Sequence, residues 1–164
     1  MYTSIEFCDE AAKAAMAMPE LRASLEEWHE AETKRGVTKD DFDTWLRKVI
    51  DGVAANYKDG VEPTNDWMVN ALKVQVGMIP SVKSVMERDR KSFELDDADI
   101  NSYVEDGMVY ASVWYKGKYA CAAAESTKDF FAANGWAVDV WKDVVCEDEF
   151  TVNASRAFDG KEVK

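Results

Sequence analysis

The sequence predicts an α+β protein, with a helical N-terminal half packed with a small C-terminal antiparallel sheet of ββαββ order. Three observations carry this. Apolar residues recur at three- and four-residue intervals through the first ninety residues, the period shifts to two near residue 107, and Val, Tyr and Trp concentrate beyond that point. Residues 1–91 then form a region of about five helices and 92–164 an α+β region. No linker rich in Pro, Gly or Ser separates them, so one compact unit is expected.

The elements follow in order. Ser4 to Ala17 is alanine-rich and ends at Met18-Pro19, and Pro19 suits the first turn of a second helix with Leu21, Leu25 and Trp28 on one face. Gly36 stops that helix. Thr38 is placed to cap a third, in which Phe42, Trp45, Leu46, Val49, Ile50 and Val53 form a buried stripe. Thr64 caps a fourth helix through Trp67, Met68, Ala71 and Leu72, which Gly77 and Pro80 interrupt. A shorter fifth helix carries Val82, Val85 and Met86 and ends in the basic cluster Arg88, Arg90 and Lys91.

Next comes an acidic segment. Leu95, Asp96, Asp99 and Ile100 stand at N′, N-cap, N3 and N4 of a short helix, with Gly107 ending it. Met108 to Tyr115 reads as a strand, Lys116-Gly117 as a tight turn and Lys118 to Ala124 as its hairpin partner. Ser126 or Thr127 caps a helix through Phe130 and Phe131, closed by Asn134-Gly135. Two alternating strands complete the chain, one with Trp136, Val138 and Val140, the other with Phe150, Val152 and Ala154.

Charge is the strongest chemical signal. The chain holds 32 acids against 20 bases and one His, for a net charge of −12. Six carboxylates and no base lie between Glu94 and Asp106, namely Glu94, Asp96, Asp97, Asp99, Glu105 and Asp106. A second bunch is Asp143, Glu147, Asp148 and Glu149. Such surfaces repel nucleic acid and attract basic partners. No run of apolar residues is long enough for a membrane span, and acids interrupt the first twenty residues, so neither a membrane protein nor export is expected. A cytoplasmic protein is expected instead. Cys8, Cys121 and Cys146 are widely spaced and read as buried small hydrophobes. Asn153-Ala154-Ser155 matches the glycosylation triplet, which matters only in a secreted chain.

Signatures of catalysis are sparse. His29 is the only candidate base and sits among Glu26, Glu27 and Glu30, where a surface histidine is the simpler reading. Zinc-ligand spacings and phosphate-binding glycine loops are absent from the sequence. Asp97, Asp99 and Asn101 occupy the first ligand positions of a calcium loop, but Ser102 stands where glycine is needed and Met108 where a bidentate Glu must close the shell. Asp41-Phe42-Asp43 is a weaker carboxylate pair. No catalytic residue, metal or cofactor is assigned.

Aromatic residues are the second signal. Trp114, Tyr115, Tyr119, Trp136 and Trp141 crowd into the sheet half, mostly as core. Trp141 alternates with Val140 and lies between Asp139 and Asp143, so it should face away from the apolar side. An outward Trp ringed by acids has the character of a binding hot spot.

Three functions compete. The leading one is a non-enzymatic inhibitor or adaptor that docks its acidic face on a basic, nucleic-acid-binding protein, with no direct contact to nucleic acid. Small inhibitors encoded by phages and mobile elements share its size and charge, though no motif. Its contact residues are the two acidic bunches and Trp141. The second is a small-molecule or nucleotide-binding domain, with an aromatic pocket flanked by Asp139 or Glu125, that can extend to an enzyme. The third is an assembly protein whose helical half self-associates.

Overall fold

Helices come first and a sheet follows, as the periodicity predicts. The computed structural model describes residues 3–164. In order the elements are α1 (Ile5–Met16), α2 (Pro19–Lys34), α3 (Phe42–Ala54), α4 (Asn65–Gln75), α5 (Pro80–Ser92), β1 (Asp97–Glu105), β2 (Met108–Lys116), α6 (Ala120–Ala133), β3 (Ala137–Lys142) and β4 (Glu149–Ala157). The fold is α+β with an antiparallel sheet of ββαββ order. Among the described residues no helix is long and apolar enough to cross a membrane.

The chain divides into two units between Met78 and Ile79. One comprises residues 3–78 with Asp159–Glu162, the other Ile79–Phe158 with Val163–Lys164. In the first, the Ser4 hydroxyl accepts from the Phe7 amide and opens α1, and Thr64 does the same for α4 through the Trp67 amide. α3 is capped by Asp41 in place of Thr38, because the Asp41 carboxylate accepts from the Thr44 amide at 2.8 Å while the Thr38 hydroxyl is taken by the Asp40 amide. That bond holds the Asp41 carboxyl below its usual range. The core joins Cys8, Ala11 and Ala15 of α1 to Leu21 and Leu25 of α2, Leu46 and Ile50 of α3, and Met68 and Leu72 of α4. Fully burying each Leu or Ile contributes roughly 1.5–3 kcal/mol.

In the second unit the strand order is β1-β2-β4-β3, antiparallel throughout. Here four expectations give way. Asp96–Gly107 forms no capped helix: residues 97–105 are strand β1, paired with β2 along its full length. The alternation Ala98, Ile100, Ser102, Val104 on one side and Asp97, Asp99, Asn101, Tyr103, Glu105 on the other is the period of a half-buried strand, and it prevails over the cap-like spacing of the acids. Asp97, Asp99 and Asn101 accordingly point along one side of a strand and form no calcium loop.

The hairpin turn is therefore Asp106-Gly107, not Lys116-Gly117. Both turn residues have positive φ, 50° and 73°, the pairing that suits a right-twisted two-residue hairpin. Gly117 has another task, since an added Cβ would lie 3.2 Å from the Leu95 Cα and the Asp96 amide nitrogen. Lys118–Ala124 is no strand either. α6 starts at Ala120, as the helix propensity of its alanine run favours, so Ser126 and Thr127 are interior to it and cap nothing. Asn134-Gly135 closes the helix, Gly135 with φ 82°.

α5 and α6 cover one face of the sheet, where Val109, Ala111, Val113 and Tyr115 of β2 and Val152 and Ala154 of β4 are buried. At the centre is Asp89 of α5, whose side chain is 2% exposed. Its carboxylate accepts from Thr127 Oγ1 at 2.7 Å, from Ser126 Oγ at 3.1 Å, and from Arg88 Nε and Nη2 at 3.0 and 3.1 Å. Thr127 Oγ1 also lies 2.7 Å from the Tyr115 hydroxyl. Helices α5 and α6 and strand β2 are thus joined through one buried charge with four donors, which offset its desolvation.

Replacing Asp89 by Ala removes the acceptor that Thr127, Ser126 and Arg88 share, and should lower unfolding free energy by about 2–4 kcal/mol in a denaturant titration. Burial raises the Tyr115 phenol from 10.0 to about 12. Its contribution to stability is present below pH 10 and is lost as pH rises through about 12. Unfolding free energy should therefore fall more steeply over that window in the native protein than in Tyr115→Phe, a difference that phenolate absorbance and denaturant melts can follow together.

Candidate functional site

The other face of the sheet is covered by none of the helices of its unit. Residues paired directly across antiparallel strands share a face, so the register assigns this surface row by row. Asp97, Lys116 and Glu149 form one row. Asp99, Trp114, Thr151 and Trp141 form the next, followed by Asn101, Ser112, Asn153 and Asp139. Tyr103, Tyr110, Ser155 and Ala137 come after these, and Glu105, Met108 and Ala157 close the face.

Its chemistry is uneven. From the strands it receives the carboxylates of Asp97, Asp99, Glu105, Asp139 and Glu149 and the single base Lys116. Lys116 Nζ stands 3.8 Å from Glu149 Oε1, beyond hydrogen-bond range. Aromatic rings fill the middle. Tyr103 and Tyr110 stack with centroids 5.0 Å apart and planes 22° from parallel. Trp141 is 65% exposed, as its alternation with Val140 predicts, and its indole Nε1 donates to Asp139 Oδ2 at 2.8 Å. That bond fixes the ring. Ser112 Oγ donates to Asn153 Oδ1 at 2.7 Å and fills the polar row between the aromatic ones.

Trp114 and Trp141 line a depression of about 300 Å³ together with Thr151, Lys142, Asp143 and Glu149. One end is formed by the β3–β4 loop. There Asp143 Oδ1 accepts from the Val145 and Cys146 amides at 2.8 and 2.7 Å, which holds its carboxyl below the usual range and shapes the loop. Val144 and Val145 at the tip are almost wholly exposed. Asp143, Cys146 and Glu149 bring one ligand atom each within 4.8 Å of one another. Glu149, then burial, then Asp143 and Asp148 raise the Cys146 thiol, so the thiolate needed by a soft metal is disfavoured.

The sequence-derived acids are distributed as follows. Asp97, Asp99, Glu105, Glu149 and Trp141 share the open face. Asp106 is in the hairpin turn, while Glu94, with φ 49°, and Asp96 lie on the connection from α5 to β1. Asp143, Glu147 and Asp148 belong to the β3–β4 loop, where the Asp148 carbonyl accepts from the Gly117 amide. One member of each acidic bunch therefore lies at one end of the sheet, Asp97 and Glu149 flanking Lys116, while Glu105 and Asp106 lie at the other end of β1. Tyr103 and Tyr110 are additions that the sequence reading missed, and Trp114, read there among the sheet aromatics, joins them on this face; the alternation of β1 held the signal for Tyr103. Glu125, proposed beside an aromatic pocket, is on α6 and so on the covered side.

Other candidates have structural roles. His29 Nε2 is 2.9 Å from the Asp40 carbonyl oxygen, and its ring packs against Phe42 and Trp45. Cys8 is buried, as expected of a small hydrophobe, whereas Cys121 is exposed and Cys146 half-buried, because one is on the outer side of α6 and the other in a loop. Comparison with protein-family models, with curated proteins and with solved structures finds no match to this chain.

Trp141→Ala should leave unfolding free energy within about 0.5 kcal/mol of the native value, since the ring rests on the surface. The same variant should lose a large share of the tryptophan fluorescence that acrylamide quenches. A large stability loss would place Trp141 in the core instead.

Proposed function

We propose that the protein is an acidic interaction protein, an inhibitor or adaptor that docks the open face of its sheet on the basic surface of a nucleic-acid-binding protein. One observation carries this reading: carboxylates from both acidic bunches share a single uncovered sheet face with two tryptophans and one base. Carboxylates on alternate strand residues stand roughly 6.6 Å apart, so Asp97 and Asp99 offer a pair of negative charges at one end of β1, and Glu105 a third at the other, to lysines and arginines. The aromatic rings supply area that is rigid and partly apolar, the usual anchor of an interface. Complementary charge speeds encounter and makes it salt-dependent.

Docking uses the face without needing a reaction there. The partner's basic surface is one that otherwise holds DNA or RNA, and occupation by this protein excludes nucleic acid. Direct binding of nucleic acid by this face is opposed by its own charge.

Affinity capture from lysate at low and high salt tests the reading, with the native protein beside the triple variant Asp97→Lys, Asp99→Lys, Glu105→Lys. Nucleic-acid-binding proteins should be retained at low salt, released at high salt and lost from the variant, which should keep its native circular dichroism. Equal retention by the folded variant, or capture indifferent to salt, would be inconsistent with docking through β1.

A further inference from the structure

Resting on that reading, we infer that the depression between Trp114 and Trp141 is the anchor pocket of the interface, and that it takes an arginine side chain of the basic partner. The two indoles sit on strands β2 and β3 with Thr151 of β4 between them, in one cross-strand row. They border a hollow of about 300 Å³ that opens to solvent on the uncovered face. Aromatic faces attract cations, and Trp does so most strongly. Trp141 is a stronger case than an ordinary surface indole, because its N–H donates to the Asp139 carboxylate and draws negative charge toward the ring.

Carboxylates at the end of the hollow select among cations. Oxygens of Asp143 and Glu149 come within 4.8 Å of each other, a span that one planar guanidinium can bridge with N–H groups on two of its edges. Both acceptors have capacity to spare. The turn takes Asp143 Oδ1, which leaves Oδ2, and Lys116 meets Glu149 only at 3.8 Å. Lys142 at the rim is exposed and by register shares the opposite face with Phe150. An ammonium offers one point charge to this arrangement, whereas guanidinium stacks on an indole and forks to the acids together.

Short oligoarginine and oligolysine peptides of equal length provide the test, titrated against the native protein while tryptophan fluorescence is followed. Oligoarginine should bind at least about tenfold tighter, with a change in indole emission. Trp141→Ala and, separately, Glu149→Gln should reduce that preference to near parity while residual binding of oligolysine persists, and Trp141→Phe should restore part of it. Equal affinity for the two peptides in the native protein would overturn the pocket, as would a preference that Trp141→Ala leaves unchanged. Tighter binding of a trimethyllysine peptide than of oligoarginine would overturn the carboxylate fork. The two readings fail differently. If neither peptide binds, docking of basic partners through this face fails as well; if both bind equally and both are lost in the β1 triple variant, the acidic face stands and only the arginine pocket falls.

Discussion

The Asp89 carboxylate links elements that are distant in sequence: the end of α5, the middle of α6 through Ser126 and Thr127, and, by way of Thr127, the central strand β2 at Tyr115. A buried carboxylate is stable only while its acceptors are filled, so the positions of both covering helices are constrained together. Tyr115 and Trp114 are consecutive residues on opposite sides of the same strand. Whatever fixes the phenol beneath the sheet therefore fixes where the indole emerges above it. The open face inherits its geometry from a charge that never meets solvent.

Division of labour between the two sides of the sheet follows from this. The covered side spends its apolar residues on packing, with Val109, Val113, Val152 and Phe131 buried. Rings on the opposite side have no helix of their own unit to receive them and remain exposed or half-exposed. Hydrogen bonding to fixed acceptors, Trp141 to Asp139 and Ser112 to Asn153, keeps that side ordered without burying it. Preorganisation of this kind lowers the entropy lost on association.

Much of this was legible in the sequence, and the exceptions are instructive. The helices of the first unit announce themselves because a 3.6-residue period is local, and α1 and α4 are capped by Ser4 and Thr64 side chains three residues before the amides they accept from. Trp141 could be placed outward from two neighbours alone. Strand β1 was obscured because Asp96 and Asp99 satisfy a helix-capping spacing while Asp97, Asp99, Asn101, Tyr103 and Glu105 satisfy a strand period, and only pairing with β2 decides between them. Lys118–Ala124 misled in the opposite sense, since its alanines favour helix more than the adjacent Tyr and Lys-Gly turn favour strand. Residues such as Trp114, whose partners are set by cross-strand register, carried no local mark of their side. Buried Asp89 was hidden in a basic cluster, because its four donors come from its own neighbour and from α6.

Strand β1 is also an edge of the sheet, and along it the Asp97 and Asp99 carboxylates accept from the Ala98 and Ile100 amides. A nine-residue edge is a long one, and amides held by the strand's own carboxylates are not offered to another strand. Two copies meeting there would bring Asp97, Asp99 and Glu105 against the same carboxylates of a second chain. The charges offered to a basic partner thus also act as a guard against fibrous stacking, and neutralising them to study recognition would remove that guard too.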